Sequence, residues 1–151
     1  MDGLLIAAPP AEMDALQVGL SGIFPISEWK TDEFEYTGSM VRQKNKVIEV
    51  NQKSYVNVRL ETVDIPTGVD LNEPANQVSK QDNMSTIGAL SRLRSQTRPD
   101  LQAGVSMAQR RQKNPTYQDV KDTNKIVRVT QSAKDESFRY GKVAEKAKDL
   151  I

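Results

Sequence analysis

MSTIGALSRLRSQTRPD, residues 84–100, is the stretch on which the fold turns. Ser85 can cap a helix, because its hydroxyl accepts a bond from an otherwise unpaired first-turn N–H. Ile87, Leu90 and Leu93 then recur every three residues and fall on one helical face. Pro99 suits the first turn of a following helix, where its missing N–H costs nothing, and Asp100 suits the positive end of that helix. One helix is therefore expected over residues 85–96 and a second from residue 99.

Downstream, Leu101, Val105 and Ala108 share a face of that second helix, expected over residues 99–112. Asn114-Pro115 breaks the chain, and residues 116–132 then align Val120, Thr123, Val127 and Thr130. Two of those four are threonines, so the third stripe is only half apolar. A short strand over Phe138–Tyr140 and a helical piece over Val143–Leu150 complete this direction. Upstream, residues 63–83 hold two prolines and Gly68 without any periodicity, which reads as a linker. Before it, Val47–Val50 and the alternation of Phe34, Tyr36, Gly38 and Met40 form a hairpin around Lys44-Asn45-Lys46. Residues 51–61 look helical with Asn51 as the cap, and residues 26–30 form a possible strand. Residues 10–24 place Met13, Leu16, Leu20 and Phe24 on one helical face, and residues 1–8 (MDGLLIAA) read as a short buried strand ended by Pro9-Pro10.

Composition narrows the chemistry. Cysteine and histidine are both absent, which removes disulfides, thiol and Ser-His nucleophiles, and every zinc site built on those ligands. Any metal must be a hard cation on carboxylates. Leu4–Ala8 has no basic region ahead of it and is too short for a signal peptide, and no run approaches the ~20 apolar residues of a membrane span. An intracellular protein, not secreted and without a membrane partner, is expected. The net charge of +1 conceals an asymmetry. Residues 1–83 carry 7 Lys and Arg against 13 Asp and Glu, net −6, and residues 84–142 carry 12 against 5, net +7. The basic part suits a phosphate backbone, although solvated helix faces would carry the same residues.

Three stretches in order resemble one family. Met1–Ala8 is similar to the second half of an aromatic-x-Asp-Asp motif with its following apolar strand. Phe34–Val41 (FEYTGSMV) with Val47–Val56 (VIEVNQKSYV) is similar to a hairpin leading into a Gln-x-x-Tyr helix start. Met84–Asp100 is similar to an Ile-Gly-x-Leu…Thr-Arg-Pro-Asp segment, extended by Asn114-Pro115-Thr116 and Lys125–Val129. Together they resemble the reverse transcriptase of copia-type retrotransposon Pol polyproteins. TRPD alone is a weak signal; with Ile87-Gly88 ahead of it and Asn114-Pro115-Thr116 behind, it is a specific one.

The resemblance implies a C-terminal palm and thumb fragment of an RNA-directed DNA polymerase, with RNA template and DNA primer, and other parts of the polyprotein, as partners. In the family, three carboxylates hold the Mg²⁺ ions that stabilise the attacking and leaving oxygens. Asp2 matches the first aspartate of the motif, while Gly3 stands at the second. The resemblance therefore implies Asp2 as the one remaining catalytic and metal-binding carboxylate, a poor ligand set for Mg²⁺. No cofactor is expected on this chain alone. It also places Gln52 and Tyr55 near the primer grip. Tyr55 could pack on a sugar or base, or fill a helix–hairpin junction, which is the commoner use. Trp29 reads as packing. Arg98 could grip a phosphate or tie two helices through a carboxylate, and the tie is favoured. Lys121, Lys125 and Arg128, at i, i+4 and i+7, share one helical face. They are the best backbone-contact candidates, with a solvated face as the alternative.

The expected fold class is α+β: a small antiparallel sheet with a packed helix (a palm remnant, residues 1–62), the linker 63–83, a basic three-helix thumb-like bundle over 84–142, and a tail over 143–151. The expected function is nucleic-acid backbone binding by an inactive polymerase fragment. The alternative is a relic or domesticated protein-interaction module with no nucleic-acid role.

Overall fold

The computed structural model describes residues 4–45 and 47–141, and their architecture is α+β. Among them, β1 (Glu33–Tyr36), β2 (Ser39–Lys44), β3 (Val47–Asn51) and β4 (Phe138–Tyr140) form one antiparallel sheet in the order β1-β2-β3-β4. The helices are α1 (Pro10–Ile23), α2 (Lys53–Arg59), α3 (Gln77–Gln96), α4 (Gln102–Arg111) and α5 (Tyr117–Ser132), with a 3-10 turn over Pro99–Leu101 ahead of α4. The helical region is an insertion between neighbouring strands. After α5 the chain returns to the sheet, where Phe138 pairs with Val50 and Tyr140 with Ile48.

The alternation of Phe34, Tyr36, Gly38 and Met40, expected to form one strand of the hairpin, is instead divided between two strands. Thr37 and Gly38 have φ of 49° and 78°, the paired left-handed conformations of a tight hairpin turn. The alternation of apolar and polar residues runs on through the turn and hides it. The positive φ of Gly38 favours glycine, and a Cβ there would also sit 3.3 Å from the Arg92 guanidinium, which would have to shift slightly. The second turn, at Asn45 (φ 51°), falls where the sequence places it.

The core gathers Val56 and Leu60 from α2 and its exit, Leu90 and Leu93 from α3, Leu101 and Val105 around α4, and Val127 from α5. Fully burying side chains of this size stabilises by about 1.5–3 kcal/mol each. The half-apolar third stripe packs completely: Val120, Thr123, Val127 and Thr130 are all buried. Its threonines bring methyl groups inward because their hydroxyls are satisfied within the helix. Thr123 donates to the Asp119 carbonyl at 3.1 Å and Thr130 to the Ile126 carbonyl at 2.8 Å. Thr116 caps this helix in a reciprocal arrangement with Asp119.

Several expectations are corrected. The first bundle helix starts at Gln77, capped by Asn76, whose side chain accepts from the Ser79 N–H at 2.8 Å. Its early turns bury Ser79 and Asn83 rather than apolar residues, so no apolar stripe marks them. The rest of the 63–83 stretch is tied to α5. The Gln118 N–H donates to the Leu71 carbonyl (2.8 Å), the Tyr117 N–H to the Glu73 carbonyl (3.1 Å), and the Ala75 N–H to the Pro115 carbonyl (2.8 Å). The helix after β3 starts at Lys53 and ends at Arg59, with Gln52 rather than Asn51 at the cap position; Asn51 Oδ1 accepts from the Lys53 N–H at 3.2 Å. Residues 26–30 form no strand, and neither do Leu4–Ala8. A strand needs a backbone partner, and none of the four strands lies beside Leu4–Ala8. The helix over residues 10–23 forms as expected, but Leu16, Ile23 and Phe24 stay exposed. Trp29 is half-buried and donates from Nε1 to Ser21 Oγ at 3.1 Å. Met1–Gly3, including Asp2, and the expected helical piece at 143–150 lie outside the described residues.

Candidate nucleic-acid interface

The sequence candidates divide into a buried polar junction and an exposed cationic face. The junction forms where the end of β3, the end of α3 and the end of α5 meet. Gln52 is buried there at 4% exposure. Its Nε2 donates to Gln96 Oε1 at 2.6 Å, and its Oε1 accepts from Thr97 Oγ1 at 2.7 Å. Both ends of the amide are thus held inside the protein, and its burial closes it to a primer strand.

Arg98, next in the chain, is equally enclosed at 5% exposure. Its Nε and Nη2 donate to the two carboxylate oxygens of Asp100 at 2.8 and 2.7 Å. Its Nη1 donates to the Ala133 carbonyl at 3.1 Å, and Glu136 lies 3.5 Å from Nη2. The fork geometry joins the start of the α4 segment to the chain leaving α5. The hydrogen bonds from Arg98 are the main cause holding the Asp100 carboxyl below its ordinary range; burial opposes them and the Arg98 charge adds to them. A third tie at this junction is the ion pair between Lys53 and Asp135.

Tyr55 is half-buried against the core cluster. The Arg92 guanidinium lies over its ring, 5.2 Å from the centroid, so that ring face is covered by a cation from the protein itself. Arg92 Nη2 also donates to the Thr37 carbonyl at 2.5 Å and anchors the β1–β2 turn to α3. Sequence reasoning missed Arg92. Its partners are far away along the chain, and one arginine among several carries no local signal.

Lys121, Lys125 and Arg128 lie on the opposite side of α5 from its buried stripe, and all three are exposed. Lys125 pairs with Asp122 at 2.8 Å, an exposed ion pair of little strength. Lys121 and Arg128 take part in no ion pair among the described residues. The turn from α4 brings Arg111 to Asp119 at 2.9 Å and leaves Arg110 and Lys113 exposed. Arg110 and Lys113 were not singled out in the sequence because they follow the last apolar residue of their helix. The structure therefore brings Gln52 and Arg98 together in a packing junction and leaves the α5 cations as the accessible set.

Among the described residues no three His, Cys, Asp or Glu side chains come together as a metal site, and no helix there is long and apolar enough to cross a membrane. Comparison with protein-family models, with curated proteins and with solved structures finds no match to this chain.

Proposed function

We propose that this chain is a fragment of a copia-type reverse transcriptase that does not polymerise alone and that holds nucleic-acid backbone on the cationic face of α5. Three sequence stretches in family order support the identity, and the α+β architecture is compatible with it. The observation that carries the binding is the placement of Lys121, Lys125 and Arg128 on the solvent side of a helix whose other side is closed into the core. Phosphates would be met by charge alone, without base contacts, so binding is independent of sequence. The partners are an RNA template with its DNA primer and, within the same polyprotein, the parts of the polymerase that this sequence does not contain. An intracellular setting accompanies this reading.

The chemistry at the N-terminus fits catalysis poorly. Gly3 stands where the family motif has its second aspartate, which removes one carboxylate from the set that would hold an ion requiring near-octahedral geometry. Mg²⁺ would supply charge stabilisation at the reacting phosphate in a complete site, and the residues present do not make one.

The test is fluorescence anisotropy with a labelled RNA–DNA duplex across a salt series. Three phosphate contacts give a slope of about −2.7, or roughly fortyfold weaker binding between about 50 and about 200 mM salt. Replacing Lys121, Lys125 and Arg128 together by Gln should remove most of that slope. No binding at low salt, or an unchanged slope in the triple variant, rejects the reading. Primer extension in Mg²⁺ or Mn²⁺ above the buffer blank rejects the claim of inactivity.

A further inference from the structure

We propose that the cleft between α2, the segment 59–64 and α3 is a binding site for an extended peptide carrying a carboxylate and a basic side chain about five residues apart. The cleft has a volume of about 630 Å³ and a mostly polar lining. It lies apart from the α5 cations and is independent of the reading above.

Two contacts orient it. Tyr55 of α2 lies under Arg92 near the end of α3, and Asp64 receives a hydrogen bond on its carbonyl from Ser79 near the start of α3, at 3.3 Å. The two walls therefore run in opposite directions. Asp82, Ser85, Thr86, Ala89 and Arg92 line the cleft from α3, following one helical face. From Asp82 to Arg92 the helix rises by about 15 Å.

This alignment sorts the charges. Arg59 and Arg92 stand toward one end, and Asp64 and Asp82 toward the other, with Glu61 between. None of these five groups is in an ion pair among the described residues. Arg92 keeps its contacts to the Tyr55 ring and the Thr37 carbonyl, so Arg59 is the freer cation of the pair; a concave polar surface with separated charges of both signs is complementary to a ligand of opposite polarity. A span of about 15 Å matches four to five extended residues at about 3.3 Å each. The hydroxyls of Ser85 and Thr86 offer hydrogen bonds to the intervening main chain. Nucleic acid fits worse, since three carboxylates would repel phosphate along most of the cleft.

The probe is the blocked peptide Glu-Gly-Ser-Gly-Ser-Lys, with Glu…Glu and Lys…Lys versions as controls. Each is titrated to millimolar concentration into the full ¹⁵N-labelled chain, with amide shifts recorded. The dipolar peptide should move amides within residues 59–64 and 82–92, and the controls should move them far less. Arg59→Gln and Asp82→Asn alter exposed side chains, so folding should be unaffected; each should weaken the dipolar peptide by about threefold, typical of an exposed charge pair. No shifts at saturation, shifts of equal size from a like-charge control, or shifts outside the cleft overturn the proposal. So would an oligonucleotide that moves the same amides more than the peptide does. Loss of α5 duplex binding has no bearing on this result, so the two readings fail separately.

Discussion

Asn124 is the residue whose replacement should show most directly that the segment after α2 belongs to the helical core. Its side chain treats Val63 as a neighbouring strand would. The Val63 N–H donates to Oδ1 at 2.8 Å, and Nδ2 donates to the Val63 carbonyl at 2.8 Å. Both residues are buried, at 4% and 6% exposure. Asn124→Ala would leave a backbone donor and a backbone acceptor without partners. Each buried orphan costs about 1–3 kcal/mol. The slight exposure of Val63 lets water recover part of this, so a loss of about 3 kcal/mol is expected. That is a large share of the roughly 5–15 kcal/mol that holds a domain folded. With a urea slope near ~2 kcal/mol/M, the unfolding midpoint should fall by about 1.5 M at unchanged slope. Asn124→Asp should do no better, because it keeps the acceptor but sets a carboxylate against the Val63 carbonyl. Lys121→Ala, on the exposed side of the same helix, is the control and should stay within about 0.5 kcal/mol. Hydrogen exchange at the Val63 amide should speed up in parallel. A loss below about 1 kcal/mol for Asn124→Ala would refute the argument, and so would an unprotected Val63 amide in the native chain.

Two further outcomes follow from the same structure. Thr123→Val and Thr130→Val remove hydroxyls bonded only to their own helix and keep the core methyl, so each should cost less than about 1 kcal/mol in urea unfolding; a loss of several kcal/mol would mean that the hydroxyls serve some other partner. Asp100 and Asp119 both have carboxyls held below the ordinary range. For Asp100 the hydrogen bonds from Arg98 are the largest cause; for Asp119 burial pushes the carboxyl up, but bonds from Thr116 and Arg111 outweigh it. A lowered folded-state value gives a contribution that is complete above about pH 4 and is lost as pH falls through that lower value. Acid unfolding should therefore begin below about pH 4, and Asp100→Asn should flatten part of the fall, whereas a curve unchanged by that substitution would deny the Arg98–Asp100 pair its role.

What could be read ahead from the sequence was whatever depends on neighbours three or four residues away. The α5 stripe is the clearest instance. Val120, Thr123, Val127 and Thr130 were aligned by spacing alone, and each is buried. The strand at Phe138–Tyr140 was likewise legible, but not its partner β3, since nothing local points to Val50. The stretch 63–83 misled for a physical reason. Leu71, Glu73 and Ala75 are fixed to residues 115–118 by backbone groups, and every residue type except proline offers the same donor and acceptor. Such anchoring leaves no mark on side-chain pattern. The early turns of α3 were lost in a related way, because Ser79 and Asn83 face inward where a stripe would need Leu or Ile.

The candidate site divides along the same line. Exposure of Lys121, Lys125 and Arg128 follows from helical spacing once the buried stripe is known, so sequence and structure agree on where those charges lie. Gln52 and Arg98 are different. Gln52 is held by Gln96 and Thr97, 44 and 45 residues away, and Arg98 by Asp100 two residues on, the carboxylate tie favoured from the sequence, together with the Ala133 carbonyl 35 residues away. A buried arginine with a bidentate carboxylate and a carbonyl has no free donor geometry to offer a phosphate without breaking that junction, and breaking it would expose the joint that aligns α3, α4 and α5. Substitution of Arg98 would therefore weaken any ligand through folding rather than through contact. The α5 cations can be neutralised without touching the core, and for that reason they are where a binding function can be separated from stability.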